Sequence, residues 1–242
     1  MSFNQYRPGG FFQMPVVTKN IILISVILFG ATYLTQNSGS INLFDYLGLH
    51  HHLAPVFKPH QFVTYIFMHG SLMHIFFNMF GVYMFGQVLE QLWGPKRFLI
   101  FYIVTGLGAA VTQYGIMHFQ IMDFLEARNA EISAVIDDPA FKAMLIDQKY
   151  EILNSNVIVG ASGSLFGMLG AYGLLFPNQL LYIYFLIPIK AKWLVIIYGG
   201  LELILGLNNQ TGDNVAHFAH VGGLFVGVFL VLFWRRKNHY HQ

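Results

Sequence analysis

Six stretches of this chain are apolar for about as long as a bilayer is thick, and that feature limits its fold more than any other. They fall at roughly residues 16–35, 68–89, 98–118, 157–176, 193–207 and 215–234. A helix crossing the hydrocarbon core needs about 20 such residues. In lipid, only helices and closed barrels satisfy their own backbone, and runs this long read as helices. Composition agrees: 55% of the 242 residues are hydrophobic and 10% are charged. A water-soluble domain carries about a quarter charged residues. Mean hydropathy is +0.54. The expected fold is all-α: a polytopic bundle of six transmembrane helices in a lipid bilayer, forming one domain over residues 1–242. The fifth run is short and contains Glu202, and the fourth and sixth are rich in glycine, as close-packed membrane helices are.

The chain has no cysteine and a net charge of +2. The first fact removes disulfides and thiolate chemistry, and the second gives no footprint for nucleic acid. No small-residue cleavage site stands clearly behind the first apolar run, so it reads as a retained helix rather than a signal peptide. With the N-terminus inside, nine of the thirteen basic residues face the cytoplasm: Arg7, Lys19, Lys96, Arg97, Lys190, Lys192, Arg235, Arg236 and Lys237. Only Lys58, Arg128, Lys142 and Lys149 face out, which is the bias of the positive-inside rule. Both termini are then cytoplasmic. Two longer segments lie outside. Residues 36–67 carry His50, His51, His52 and several aromatics, and suit the headgroup region. Residues 119–156 hold seven of the eleven acids. Helix-like spacing over Phe119–Ile136 and Phe141–Leu153, broken at Asp138-Pro139, predicts one or two short amphipathic helices there.

Ionisable and strongly polar groups at membrane depth cost free energy, so each is a functional candidate. The chief ones are His74 and Asn78, Ser162, and His220, with His69, Glu90, Glu202 and His217 beside them. Ser162 sits between Gly160-Ala161 and Gly163 where the fourth span begins. Small neighbours leave room for a substrate carbonyl, and a helix N-terminus offers free N–H groups to an oxyanion. A glycine-rich string is also a packing face, and Gly163, Gly167, Gly170 and Ala171 form one. His220 shifts the balance toward chemistry. It precedes Gly223 and Gly227, a G-x-x-x-G face that lets two helices approach backbone to backbone. Serine on one helix and histidine on the other then make a nucleophile and general-base pair. His74 and Asn78, spaced i, i+4, share a helix face and can both donate to an oxyanion. Neither Glu202 nor Asp213 is placed by its spacing to orient His220, so the expected machinery is a dyad.

His69, His74 and Asn78 stand in an H-x-x-x-x-H-x-x-x-N pattern, Gly160, Ser162 and Gly163 in G-x-S-G, and His220, Gly223 and Gly227 in A-H-x-x-G-x-x-x-G. In order and spacing these resemble the motifs of rhomboid intramembrane proteases over roughly residues 15–235. The resemblance implies Ser162 as nucleophile, His220 as base, and His74 and Asn78 as oxyanion donors. It implies that Phe166 packs on the imidazole of His220, and that Glu90 is structural. The implied substrates are the transmembrane segments of other membrane proteins, and the implied location is a bacterial inner membrane. No cofactor and no metal is implied. The first outside loop lacks the Trp-Arg pair of many relatives, and residues 119–156 are longer than in a minimal member.

Three other classes compete. His217 and His220 with His69 and His74 could form a metal site, but spacing supplies no carboxylate or third ligand. A non-proteolytic rhomboid-like protein would bind membrane segments without cutting them, and such proteins usually lack the serine or the histidine. A transporter with broken helices would show an inverted repeat, and none is visible.

Overall fold

The computed structural model describes residues 14–39, 41–135, 138–183, 186–208 and 215–239. Arg7 and Asp213, invoked above for sidedness and for orienting His220, lie outside the described residues. The fold is an all-α, polytopic membrane bundle. Among the described residues, five helices are long and apolar enough to cross a membrane, and a sixth is apolar but shorter.

The first span is α1 (Val16–Ser38), which follows Pro15. Its first turn is capped from another helix. The Glu90 carboxylate accepts from the Val17 and Thr18 N–H groups at 2.9 and 2.7 Å and from Thr18 Oγ1 at 2.8 Å. A buried acid is tolerated there because it meets orphan donors at the positive end of a helix. These bonds give Glu90 a structural part, the one that the resemblance implied.

The outside loop carries α2 (Leu43–Leu47), strand β1 (Leu49–His50) and α3 (Gln61–Thr64), which runs into a 3-10 turn over Tyr65–Phe67. The second span starts at Leu72 rather than Met68 and ends at Trp93 rather than Leu89. It is built from α4 (Leu72–Gly81), a π-helical turn over Val82–Gly86, and α5 (Gln87–Trp93). Ser71 sets the start, its hydroxyl accepting from the His74 N–H. Gly94, at φ 78, sets the end, and Pro95 opens the next helix.

The third span is longer than its apolar run. α6 extends unbroken over Pro95–Ala134, 40 residues, or about 60 Å at 1.5 Å per residue. The expected short helix beginning at Phe119 is therefore the continuation of the span beyond the bilayer. Nothing between His118 and Phe119 breaks a helix, and polarity alone does not end one. The break at Asp138-Pro139 is present: Asp138 caps α7 (Pro139–Ser155) through a side-chain bond to the Phe141 N–H.

The fourth span is shorter than expected. Val157–Ile158 forms β2, antiparallel to β1, and α8 occupies only Ser162–Leu175. At 14 residues it is about 21 Å long, short of the roughly 30 Å hydrocarbon core. A β3–β4 hairpin (Leu180–Ile183, Ile187–Lys190) that the apolar pattern did not indicate leads to α9 (Ala191–Asn208), and α10 (His217–His239) completes the described chain.

α8 is the central helix, buried from Gly163 through Gly173 except at Leu165. Its contact with α10 is made by backbone. A Cβ on Gly223 would overlap the carbonyl of Gly163, and one on Gly227 would overlap that of Gly167. α6 closes the other side, where the Ser164 hydroxyl donates to the Tyr102 carbonyl at 2.8 Å. α9 is peripheral, with Ala191 its only buried residue.

Candidate active site

The glycine contacts bring the N-terminus of α8 against the first turn of α10. Ser162 is the first residue of α8, and its Oγ lies 2.7 Å from His220 Nε2. With the hydroxyl donating, the imidazole proton sits on Nδ1. The His220 ring stacks on Phe166, one turn after the serine, with centroids 4.4 Å apart and planes 4° from parallel. Face-to-face packing on an aromatic hinders rotation of the imidazole about its Cβ–Cγ bond, which helps to keep Nε2 on the serine.

Gly160 turns the chain into α8 with φ at 125. Its N–H donates to the Tyr65 carbonyl at 3.0 Å, which fixes the approach from β2. A Cβ here would meet His74 Nε2 at 2.6 Å and lie 3.6 Å from Asn78 Nδ2. Glycine thus leaves a small space bordered by the Ser162 turn and by two side chains of α4. His74 Nδ1 accepts a long contact from the Gly70 N–H at 3.5 Å, which leaves Nε2 as the donor nitrogen. Asn78 is buried, and its Nδ2 has no hydrogen-bond partner. An amide donor held in this way carries a cost unless something else supplies an acceptor. Gly163 has its own reason to be glycine: a Cβ would overlap Ala109 of α6. Ser164, two residues after Ser162, is fully buried and faces α6 instead of this space. His69 packs on the edge of His74 with ring centroids 5.0 Å apart.

One residue near this pair was a candidate in the sequence but was given no role at His220. Glu202, on α9, lies with Oε2 2.8 Å from His220 Nδ1 and 2.6 Å from His217 Nδ1. The approach to His220 is oblique to the ring N–H, and Nδ1 makes no aligned hydrogen bond. It is an electrostatic contact, while the His217 contact is a hydrogen bond. The expectation that no acid faces His220 is therefore corrected. The sequence signal was Glu202 itself, an acid in an apolar helix, but its orientation depends on how α9 leans on α10. The same carboxylate corrects the case against a metal, because Glu202, His217 and His220 offer three ligand atoms within 4.8 Å of one another. His69 and His74, included in that idea, are not part of this group.

The comparisons with known proteins bear on this arrangement. The family model for the rhomboid domain matches residues 57–237, three quarters of the chain. The chain belongs to the rhomboid family. Among curated proteins, this rhomboid is similar to RHOMBOID-like protein 12, mitochondrial, of Arabidopsis thaliana. They are 27% identical over 169 residues, covering 70% of this chain and 44% of the relative. It is also similar to RHOMBOID-like protein 6, mitochondrial, of the same plant, at 27% over 173 residues, covering 70% of this chain and 42% of the relative. Rhomboid-like protein 11, chloroplastic, also from Arabidopsis thaliana, is 26% identical over 226 residues, covering 87% and 62%. The chain spans less than half the length of the first two. The family match includes every site residue named above, from His69 to Gly227.

Proposed function

We propose that this rhomboid is an intramembrane serine endopeptidase, a hydrolase that cuts transmembrane segments of other membrane proteins, and that residues 1–242 act as one protease domain. The 2.7 Å contact between Ser162 Oγ and His220 Nε2 carries the reading. Ser162 attacks a peptide carbonyl as His220 takes its proton. His220 then returns that proton to the leaving amine, and water repeats the cycle on the acyl-enzyme. The carbonyl oxygen, as it becomes an oxyanion, takes the space beside Gly160. There it accepts from His74 Nε2, Asn78 Nδ2 and the N–H groups that open α8. The unpartnered Asn78 amide supports this role, since an acceptor arriving only with substrate explains why a buried donor is left open. Glu202 adds negative charge beside the imidazolium that forms during the reaction. The bias of the basic residues supports a site toward the outer face with both termini cytoplasmic, and the membrane we propose is a bacterial inner membrane.

The test is cleavage of a model single-span substrate by purified protein. Ser162→Ala should abolish cleavage and leave the helical content intact, because alanine fits wherever serine does. A fluorophosphonate probe should label Ser162 and not Ser164. Chelators should leave cleavage unchanged. Persistence of wild-type cleavage in Ser162→Ala would exclude the serine mechanism, and substrate binding without cleavage by the wild type would favour a non-proteolytic rhomboid-like protein.

A further inference from the structure

Three histidines outside the proposed active site converge where the first outside loop meets α6. His51 and His52 follow β1, and His118 stands on α6 66 residues further along. His51 Nε2 and His118 Nδ1 are 2.9 Å apart. The His51 ring lies 4.2 Å from His52 and 5.2 Å from His118 between centroids. One ring nitrogen from each residue falls within 4.8 Å of the other two. His51 is fully buried, His118 is half-buried and His52 is exposed. No carboxylate pairs with any of them among the described residues.

A neutral imidazole has one ring nitrogen with a lone pair to offer a metal, and here three rings bring one nitrogen each to the same point. From this convergence we infer that His51, His52 and His118 form a binding site for a divalent transition metal of the zinc class, with a fourth position open to water. Neutral imidazole is the nitrogen ligand such ions prefer. A tetrahedral ion with bonds of about 2.0–2.1 Å holds its ligand nitrogens about 3.3 Å apart. The His51–His118 pair must open by about 0.4 Å from its present 2.9 Å, and the third nitrogen must close.

The proton shared between His51 and His118 moves to the far nitrogen of its ring on binding. The contact given up is the 3.3 Å approach of the Leu53 N–H to His51 Nδ1. Tyr114 supports the site from behind: its hydroxyl accepts from the His52 N–H at 3.0 Å and lies 2.7 Å from His52 Nδ1. A partner that holds the other nitrogen of the ring orients a ligating histidine. The bound ion would pin the loop to α6.

The experiment uses the full chain, purified in detergent without a polyhistidine tag and stripped of metal. Zinc binding is followed by calorimetry, and cobalt binding by its visible absorption. The wild type should bind one equivalent of zinc at these residues, show a tetrahedral cobalt spectrum, and melt at a higher temperature with zinc. His51→Gln and His118→Gln should each weaken binding at least tenfold and lose the zinc-dependent melting shift. Exposed His52→Gln gives the same readout without disturbing a buried position, and cleavage of the model substrate reports that each variant is folded. A wild type that binds no zinc overturns the proposal. So does binding that survives all three substitutions, including the case in which Glu202→Gln abolishes it, which would move the ion to the Glu202, His217 and His220 group.

Discussion

Replacing Glu202 with glutamine tests whether the charge beside His220 matters to turnover. The substitution keeps shape and hydrogen-bonding capacity and removes one negative charge 2.8 Å from His220 Nδ1. In the proposed mechanism His220 becomes an imidazolium during attack, so the charge would act on the transition state more than on the ground state. Coulomb's relation at that distance gives about 6 kcal/mol at an effective dielectric of 20 and about 1.5 kcal/mol in water. The contact is oblique, the carboxylate is shared with His217, and its side chain is 14% exposed. The effect therefore lies toward the lower figure, about 1.5–3 kcal/mol, or roughly 10- to 100-fold in kcat. The assay is cleavage of the model substrate over a range of concentrations, since a transition-state effect lowers kcat and leaves KM nearly unchanged. A second measurement is the rate of fluorophosphonate labelling, which needs the same base and should fall in parallel. Unchanged kcat would mean that the dyad works without help from Glu202. Raised kcat would mean that Glu202 acts mainly as a tether holding peripheral α9 on the site. Either result refutes the electrostatic argument.

Asn78→Ala should lower kcat by about 10²–10³-fold, the usual cost of one oxyanion donor. It should leave the melting temperature unchanged or raise it, because a buried donor with no partner is removed. His220→Ala should abolish both cleavage and probe labelling, whereas His217→Ala at matched expression should lower activity only modestly, since His217 contacts Glu202 and not Ser162. A dead His217→Ala with an active His220→Ala would reassign the base. Gly223→Ala should destabilise the fold by about 1–3 kcal/mol through overpacking and reduce cleavage as well, because its methyl group meets the Gly163 carbonyl. Gly200→Ala, where a methyl group meets nothing within 4 Å, is the control and should lose no stability.

Much of this protein is written locally. A bilayer demands long apolar helices, so the spans could be placed from the chain alone, and the polar groups in them stood out because lipid makes each one costly. Ser162, His220, His74 and Asn78 were singled out on that ground, and the small residues around them limited where helices could approach. The glycine faces indicated the approach of Ser162 to His220, but the other distances between helices were not legible. α8 starts at Ser162 because Val157–Ile158 pairs with β1, a strand more than a hundred residues earlier. α6 runs past His118 because helix propagation follows backbone hydrogen bonding and not the depth of the membrane. Glu202 faces His220 only because α9 leans on α10 at one rotation, which no spacing within either helix encodes. The convergence of His51 and His52 with His118 has the same origin: a loop folded back on a helix joins residues that the sequence keeps far apart. Periodicity and polarity are properties of one segment, and the chemistry proposed here occurs between segments. The tertiary contacts, chiefly the backbone approach at Gly163 and Gly223, decide which polar groups meet.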